Sequence, residues 1–459
     1  MENQLIRQIS VDGFRTLSQF SLKFTPGLNV LVGPNGGGKT TILMFFSFLN
    51  DLYSGNLSTA ISNVGGAGAI FRKIGQRDFQ RTITAEVIGS IDLAEQIKLM
   101  RSSEAGIEKT GKYLYYRYSF GIELSENRED VFFSSQTLLL RRSKVSYKNP
   151  EKISKWDIEF KRQLDKDRQI TSSANIFSED LETKFELPSY IKVRSGELPA
   201  IDDVVDMEDS ILHATRLLGM IFRNALAQDF GRGLFYNPQP DQIRKPEDSA
   251  KSPGIRSDGS GLYASLLALK RRRRSTVRPT MRRRPTIYDV PFVRRETLLG
   301  VVEYFRLAFP ALHTIDVTND PFDNQIRARV TLDAKDGIQL PLAALSDGTL
   351  KWMSLATALL TTRHIIGIEE PENFIHPAVQ QQALELIRET TKENSFVLIS
   401  SHSQSVLDAT RPDELIIVTL DKSRTIASRI KDPERINELI YESGFGLAFY
   451  YMSGALADA

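Results

Sequence analysis

The sequence has no cysteine, which excludes disulfide bonds, thiolate metal sites and cysteine nucleophiles. It has no apolar run of the roughly eighteen residues that a membrane-spanning helix needs. The first residues, Met1 to Arg7, lack the basic start and the apolar core of a secretory signal. The five histidines show no paired spacing, so a zinc site is not expected. These absences favour a cytoplasmic protein without a membrane partner.

Neither sign of charge dominates the chain, whose formal net charge is +2 over 459 residues. A balance this close to zero does not indicate that the protein as a whole binds nucleic acid. The length exceeds that of one ordinary domain. We expect three parts: an N-terminal lobe over 1–150, an insertion over 151–310 and a C-terminal lobe over 311–459.

Hydrophobic patterning divides the chain into regions of different secondary structure. Alternation over Arg81–Ile88 and Tyr113–Leu124 predicts antiparallel strands. From about 155 to 230 the pattern indicates charged helices, and the stretch 237–260, rich in Pro, Asp, Ser and Lys, indicates a loop or linker. From Gln325 onward strands alternate with helices, which favours a parallel sheet covered by helices.

The most specific motif has the spacing G-x-x-x-x-G-K-T of a phosphate-binding P-loop. A predicted buried strand, Leu28–Val32, precedes it, and a predicted apolar helix, Ile42–Leu49, follows it. In such a loop the backbone N–H groups converge on a triphosphate, the lysine reaches the β- and γ-phosphates, and the hydroxyl ligates Mg²⁺. The alternative is a glycine turn that binds nothing. The residues predicted to bind phosphate are Gly33, Gly36, Gly37, Gly38, Lys39, Thr40 and Thr41.

A second motif places two carboxylates at the end of an apolar strand, Ile365–Ile368. This is a Walker B pattern, in which Glu369 would hold Mg²⁺ together with Thr40. Glu370 would orient the attacking water and accept its proton, while Lys39 would offset developing charge. The alternative is a solvated acidic turn.

Two further segments complete the pattern. Leu345-Ser346-Asp347-Gly348-Thr349 precedes a predicted helix and resembles the signature motif of ABC-class ATPases, in which the serine and the glycine bind the γ-phosphate held by another protomer. The alternative is a simple helix N-cap. His402 follows the predicted strand Phe396–Ser400 and resembles the switch histidine of the same class, which hydrogen-bonds the γ-phosphate. The alternative is a histidine that bonds only to backbone.

The order of P-loop, signature, Walker B and switch histidine identifies the chain as similar to ABC-class ATPases. The segment Ile9–Leu17 resembles the opening strand of RecF- and SMC-like ATPases. Asp258–Leu262, Leu345–Leu350 and Glu369–Pro377 resemble standalone AAA-21-type and OLD-like ATPases. This resemblance implies an α/β fold: an ABC-type P-loop ATPase head with a mixed sheet, flanking helices and an antiparallel β subdomain, plus a mainly helical insertion.

The resemblance also implies ATP and Mg²⁺ as ligands, with ATP bound between two copies of the chain in a homodimer or a higher homo-oligomer. Asn35 and Arg15 match positions that contact nucleotide in relatives. Arg15 could equally be a surface residue of its strand. A glutamine that contacts Mg²⁺ is expected after the P-loop, and Gln76 and Gln80 are candidates by position only.

Many relatives act on DNA ends or in bacterial anti-phage defence with a nuclease or toxin subunit. Fewer than about sixty residues follow His402, too few for the Toprim nuclease of long OLD enzymes. We interpret the acidic run Asp202–Asp209 as a solvated face. The prediction is therefore a switch ATPase, the sensor or motor subunit of an anti-phage system with a separate effector. The alternative is a RecF-like DNA repair or replication ATPase. A transporter subunit is disfavoured, because its P-loop and signature would lie closer together.

A basic cluster, Lys270–Arg284, has nine basic side chains and no acid. Such a block tends to stay unfolded unless it meets an anion. One hypothesis is contact with the phosphates of DNA or RNA, which would steepen the salt dependence of binding. The alternatives are a solvated loop and a docking site for an acidic protein.

Overall fold

A computed structural model of the chain describes residues 5–75, 78–93, 111–126, 130–147, 149–165, 169–178, 185, 200–203, 205–218, 220–231, 233–272, 298–320, 322–332, 337–361, 365–373, 375–391 and 396–456. Gln76 and positions 273–284 of the basic cluster lie outside these residues, so the hypotheses about them stay predictions. Within the described ranges, no helix combines the length and the apolar character needed to cross a bilayer.

The strands follow the alternating and the apolar segments of the sequence. In chain order they are β1 (Leu5–Asp12), β2 (Phe20–Lys23), β3 (Gly27–Val32), β4 (Thr82–Asp92), β5 (Tyr113–Leu124), β6 (Val131–Ser143), β7 (Ile158–Leu164), β8 (Ile170–Ile176), β9 (Leu234–Tyr236), β10 (Glu247–Asp248), β11 (Leu312–Asn319), β12 (Gln325–Leu332), β13 (Ile338–Pro341), β14 (Ile365–Glu369), β15 (Phe396–Ser401), β16 (Leu415–Asp421) and β17 (Arg424–Arg429).

The α-helices are α1 (Lys39–Ser54), α2 (Leu57–Asn63), α3 (Ala67–Ile70), α4 (Met220–Phe230), α5 (Pro240–Ile243), α6 (Leu262–Arg272), α7 (Leu298–Ala308), α8 (Asp347–Thr361), α9 (Pro377–Thr390), α10 (Gln404–Asp408), α11 (Pro433–Ser443) and α12 (Leu447–Met452). Short 3-10 helices cover Pro150–Lys152, Ile201–Asp203, Ile211–Leu218, Leu342–Ala344 and Pro412–Glu414.

The chain divides into two compact units, and the sequence passes between them several times. The N-terminal unit contains residues 1–233, 392–396 and 416–429. The C-terminal unit contains residues 234–391, 397–415 and 430–459. The predicted division into 1–150, 151–310 and 311–459 stays a prediction.

An antiparallel sheet of seven strands forms much of the N-terminal unit, in the order β2-β1-β4-β5-β6-β7-β8. Its longest pairing joins β5 to β6, where Tyr113 lies opposite Ser143. Tyr116 and Tyr118 project from one face of β5, and both contact the ring of Phe230. Side chains that alternate between two faces therefore bury an aromatic core, as the sequence predicts for this segment.

The prediction of helices from about residue 155 is wrong for residues 158–176. That segment forms β7 and β8, which extend the sheet from β6. Residues 158, 160 and 162 of β7 are buried, and the residues between them are partly buried or exposed. The charged side chains of β7 give this strand a false helical character in the sequence. Arg162 is buried and pairs with Asp202 at 3.0 Å. The Asp202 side chain is still 57% exposed, which agrees with the interpretation of the acidic run as a solvated face, and this residue also pairs with Arg162.

The same unit contains β3 and α1 on either side of the predicted P-loop. β3 lies beside β16, which pairs with β17 in antiparallel fashion. The buried face of α1 packs Phe45 and Phe48 against Phe14. Aromatic packing therefore anchors the strand–loop–helix segment that carries the phosphate motif.

In the C-terminal unit β9, β14 and β15 run parallel, in the order β15-β14-β9. The helix α9 connects β14 to β15, which confirms the predicted alternation of strand and helix in this part. Helix α8 is buried from Leu350 to Thr361, including the polar side chains of Lys351, Ser354 and Thr357. A separate antiparallel group places β12 between β11 on one side and β10 and β13 on the other.

The prediction of a loop or linker over 237–260 is wrong in part. This segment contains α5 and β10, and its turns are joined by hydrogen bonds to neighbouring elements. The carboxylate of Glu247 is buried and accepts from the N–H groups of Gly261 and Ala264 at the start of α6. Proline and polar residues here make an ordered connection because buried side chains fix it.

Candidate functional site

The predicted P-loop closes against β16 and β17 without leaving room for side chains at two of its glycines. A Cβ on Gly33 would lie 1.8 Å from the carbonyl oxygen of Val418. Gly38 has φ +106°, and its Cβ would lie 2.0 Å from Oγ1 of Thr425. Only glycine fits at these positions, since one meets backbone and the other combines a clash with a left-handed conformation.

Lys39 folds back over the loop and is almost completely buried. Its Nζ donates to the carbonyl oxygens of Gly33 at 2.8 Å and Pro34 at 3.0 Å. α1 begins at this lysine, no side chain caps it, and its first turn contains no acidic residue. Asn35, Gly36 and Thr40 are exposed, Gly37 is buried and Thr41 is half-buried. The segment thus combines a cation with the positive end of a helix, which suits an anion.

A group of polar residues lies beside the loop. Thr16 contacts Oγ1 of Thr425 at 2.7 Å and Oγ1 of Thr41 at 3.5 Å. Arg15 adopts φ +50° and donates to the carbonyl of Val64 at 2.6 Å. Burial lowers the pKa of its guanidinium from the ordinary value.

Gln80, one of the two glutamines considered as a Mg²⁺ contact, donates to Oδ2 of Asp12 at 2.7 Å. The same carboxylate accepts from Ser18 and from the backbone of Gln19. Despite an opposing effect of burial, these hydrogen bonds and the positive charge of Arg72 lower the pKa of Asp12. A role of Gln80 toward Mg²⁺ stays a prediction.

In the C-terminal unit Glu369 ends β14, where it lies in register with Ser400 of β15. Its carboxylate Oε2 accepts from Nδ2 of Asn237, at 2.8 Å, just after β9. Two neighbouring parallel strands therefore bring an amide and a carboxylate together at their carboxyl ends, where parallel sheets commonly place ligand-binding groups.

Glu370 leaves the strand in a left-handed conformation, with φ +42°. Its backbone N–H still donates to the carbonyl of Ser400 at 3.0 Å. Its carboxylate accepts from Nδ2 of Asn373 at 2.7 Å and lies 3.4 Å from Nε2 of His402. The structure therefore brings Glu370 and His402 together, as their predicted roles require, and both side chains are about one third exposed.

The predicted signature segment begins α8. Ser346 is exposed, and its Oγ accepts from the N–H of Thr349 at 3.3 Å, so this serine caps the helix. Gly348 is half-buried in the first turn. The N-cap interpretation thus describes the geometry, and the γ-phosphate role stays a prediction that the exposure of Ser346 permits.

Arg244, from the segment predicted to be a linker, stabilises the residues that lead into the signature segment and α8. Its guanidinium donates to the carbonyls of Ala343 at 3.1 Å and Leu345 at 2.8 Å. It also pairs with Asp347 at 2.5 Å. A planar guanidinium suits this task because it directs several donors in fixed directions.

Lys351 follows one turn into α8 and is buried. Burial lowers the pKa of its ammonium group, against the opposing effect of the nearby carboxylates Asp347 and Glu370. The cation therefore lies within electrostatic range of both the signature segment and the carboxylate after β14.

Sequence patterns did not identify Asn237, Arg244 or Lys351. The position of Asn237 after a short strand is a weak signal, because polar residues at the carboxyl ends of parallel strands commonly face ligands. Nothing local distinguishes Arg244 from a surface arginine.

A family model described as "AAA domain, putative AbiEii toxin, Type IV TA system" matches residues 28–408. The match includes the P-loop, the signature segment, both carboxylates and the switch histidine. The chain belongs to this family. The predicted resemblance to AAA-21-type ATPases is thereby confirmed. The strands and helices described above agree with the predicted α/β fold class.

Individual relatives match over less of the chain or at low identity. The DNA double-strand break repair Rad50 ATPase of Methanopyrus kandleri is 46% identical over 39 residues, which is 8% of this chain and 4% of that protein. An SMC head bound to the C-winged helix domain of ScpA is 12% identical, with a TM-score of 0.47 over 92% of this chain and 97% of that one. An SMC head bound to the C-terminal domain of ScpA from Pyrococcus furiosus is 11% identical, with a TM-score of 0.48 over 95% and 100%.

Proposed function

We propose that this member of the AAA domain family binds Mg²⁺ and ATP, hydrolyses ATP and works as a molecular switch. The observation that carries the proposal is the arrangement after β14 and β15, where Glu370 lies between Asn373 and His402. A carboxylate in this position can orient a water molecule and take its proton. The P-loop in the same chain indicates that the substrate is a nucleoside triphosphate.

The P-loop supplies the phosphate contacts in this proposal. The N–H groups of Gly36, Gly37 and Gly38 and of the first turn of α1 bind phosphate oxygens, with Asn35 and Thr41 at the margins. Lys39 exchanges its carbonyl partners in the loop for the β- and γ-phosphates. This exchange is favourable because a charged acceptor bonds an ammonium more strongly than a neutral carbonyl does.

Thr40 and Glu369 are the proposed Mg²⁺ ligands. A hydroxyl and a carboxylate are hard oxygen donors, which Mg²⁺ prefers, so the residues fit the ion. The bound ion would neutralise charge on the phosphates. Asn237, which donates to Glu369, orients that carboxylate.

In the proposed reaction a water oxygen attacks the γ-phosphorus, and the bond from that phosphorus to the oxygen of the β-phosphate breaks. Glu370 accepts the proton of the water, and ADP and phosphate leave. His402 donates to the γ-phosphate, and Ser346 and Gly348 of a second copy bind the same group. Positioning supplies most of the catalysis in such sites.

Two substitutions test the proposal. We expect Lys39→Ala to abolish binding of a fluorescent ATP analogue, and Lys155→Ala, which removes an exposed lysine of the same unit, to leave binding unchanged. We expect Glu370→Gln to bind ATP but hydrolyse it at least about 100-fold more slowly. The Glu370→Gln protein should double in mass with ATP in size exclusion with light scattering. Unchanged nucleotide affinity in Lys39→Ala would refute the P-loop assignment, and a constant mass would refute the composite site.

The proposed biological role is the sensor or motor subunit of a bacterial anti-phage system, in the cytoplasm, with a separate nuclease or toxin effector. The toxin and the Type IV toxin–antitoxin system in the family description support this role. Co-purification from the native host tests it, with Lys39→Ala as the control. A nuclease or toxin that accompanies the wild-type chain but not the variant would support a nucleotide-controlled partner.

The second candidate is a RecF-like ATPase that binds DNA itself. The short match to a DNA double-strand break repair ATPase favours it. Here the basic cluster Lys270–Arg284 would contact phosphates, so the affinity for duplex DNA should fall steeply with salt. Replacing residues 271–274 by alanine should reduce the slope of log affinity against log salt concentration by about one for each phosphate that the variant no longer binds. Full affinity in that variant would remove the basic cluster from the hypothesis.

A further inference from the structure

Glu372 is a buried acid in the turn that follows β14, two residues after the proposed general base. Only 9% of it is exposed. The backbone of this turn is closed by hydrogen bonds from the N–H of Asn373 to the carbonyl of Glu370 and from the N–H of Ile375 to the carbonyl of Glu372. The side chain of Glu372 therefore projects from a turn whose backbone is fixed by hydrogen bonds.

The carboxylate of Glu372 accepts two hydrogen bonds from the turn that follows β15. Its Oε1 accepts from Oγ of Ser401 at 2.7 Å and from the backbone N–H of His402 at 2.8 Å. Both distances are those of charge-assisted bonds, which are stronger than bonds between neutral groups. One oxygen atom thus fixes the backbone at the histidine itself.

A second side chain braces the two turns independently. The amide of Gln380, in the first turns of α9, donates to the carbonyl of Ile375 at 2.8 Å. Its oxygen accepts from Oγ of Ser403 at 2.6 Å. The residues on both sides of His402 are therefore bonded to the segment that carries Glu370.

The other oxygen of Glu372 has less than 1 Å² of exposed surface and no hydrogen-bond partner within the described ranges. A buried oxygen left in this state opposes folding. Stability alone therefore does not explain this buried side chain, and the geometry that its Oε1 imposes on His402 gives it a purpose.

We propose that Glu372 is a positioning residue for hydrolysis, which holds the backbone of His402 so that its imidazole faces the Glu370 carboxylate. This inference rests on the proposed ATPase function. A displacement of about 1 Å in a reacting group can cost about 100-fold in rate, so loss of this bond should affect turnover more than ATP binding.

The test compares four variants: Glu372→Ala, Glu372→Gln, His402→Ala and the double variant Glu372→Ala/His402→Ala. We expect Glu372→Ala to lower kcat by roughly 10- to 100-fold while KM changes less than about threefold. Glu372→Gln keeps an acceptor at Oε1 and should recover most of the missing turnover. Glu389→Ala, which removes an exposed acid from α9, is the matched control and should behave as wild type.

The double variant decides whether Glu372 acts through His402. If it does, adding Glu372→Ala to His402→Ala should lower kcat no further, because the two effects are not additive. The proposal would be overturned if the losses of kcat in the two single variants multiplied in the double variant. It would also be overturned if Glu372→Gln were as slow as Glu372→Ala. If Glu372→Ala does not fold, Glu372→Met, which also removes the acceptor but fills more of the buried space, takes its place in the same cycle.

Hydrogen exchange at residues 401–403 separates this proposal from the proposed function. We expect the His402 amide to exchange at least about tenfold faster in Glu372→Ala than in wild type, with or without nucleotide. If the His402 amide exchanges faster in Glu372→Ala but the wild-type protein hydrolyses no ATP, the ATPase proposal fails while the structural role of the hydrogen bond from His402 to Glu372 stands. Unchanged exchange in an active enzyme would defeat the role of Glu372 alone.

Discussion

Two regions of the molecule are held in place in different ways. One is the loop from Gly33 to Lys39, and the other is the pair of turns formed by residues 370–373 and 401–403. In the loop, glycines let backbone and side chain of β16 and β17 approach to distances that no Cβ would allow. In the paired turns, the side chains of Glu372 and Gln380 join two backbones. The first arrangement shapes the backbone that the proposed ligand would contact, and the second orients side chains. The chemistry required at each place therefore determines how it is supported.

The largest effect is expected at the backbone-supported loop. In Gly33→Ala the new Cβ would meet the carbonyl of Val418, which cannot move without disturbing β16. We expect nucleotide affinity to fall by at least about 100-fold, since the loop must shift by ångströms. Gly68→Ala, with nothing within 4 Å of its Cβ, should bind as wild type. Equal affinities in isothermal titration would show that the close approach does not shape the loop.

A smaller effect is expected where one side chain supports the signature segment. Arg244→Ala removes the hydrogen bonds to Ala343 and Leu345 and the ion pair with Asp347. We expect turnover to fall roughly tenfold, with binding of ATP by the isolated subunit unchanged. Arg435→Ala, in exposed α11, is the control. If Arg244→Ala lost ATP binding instead, the signature segment would not be a separate, side-chain-supported element.

The smallest effect concerns Asp12 at the end of β1, whose carboxylate accepts hydrogen bonds from Ser18, Gln19 and Gln80. The pKa of Asp12 is lower in the folded protein than its ordinary value of 3.8. The ionised carboxylate therefore stabilises the fold at pH values above 3.8, and this stabilisation is lost as the pH falls through the lower pKa of the folded state. Asp12→Asn should cost less than about 1 kcal/mol of unfolding free energy at pH 7, because the group is partly exposed. The difference from wild type in urea unfolding should shrink below pH 3.8, whereas exposed Asp421→Asn should show none. A gap that is constant down to pH 3 would contradict this assignment.

The sequence predicts the P-loop because its requirement is local, a run of glycines between a strand and a helix. It predicts Glu370 and His402 because both follow short apolar strands. The supports are different: Val418 and Thr425 lie almost four hundred residues from the glycines that they contact, and Arg244 lies in a segment of linker-like composition. Their roles depend on tertiary contacts that no local pattern encodes. The strand β7 resembles a helix in sequence because its charged residues, Glu159, Lys161 and Arg162, obscure a period of two. The strand β8 has no charged residue, and small, mostly polar residues fill its centre between two isoleucines.

The return of residues 416–429 to the N-terminal unit has a consequence for synthesis. While the ribosome has not yet released this hairpin, Gly33 and Gly38 lack the strands against which they close. A nascent polypeptide, or one cut short by a premature stop codon before residue 416, therefore lacks the surface that shapes its phosphate loop. The proposed capture of nucleotide therefore requires that translation has passed residue 429, and fragments that stop before residue 416 should not compete for cellular ATP.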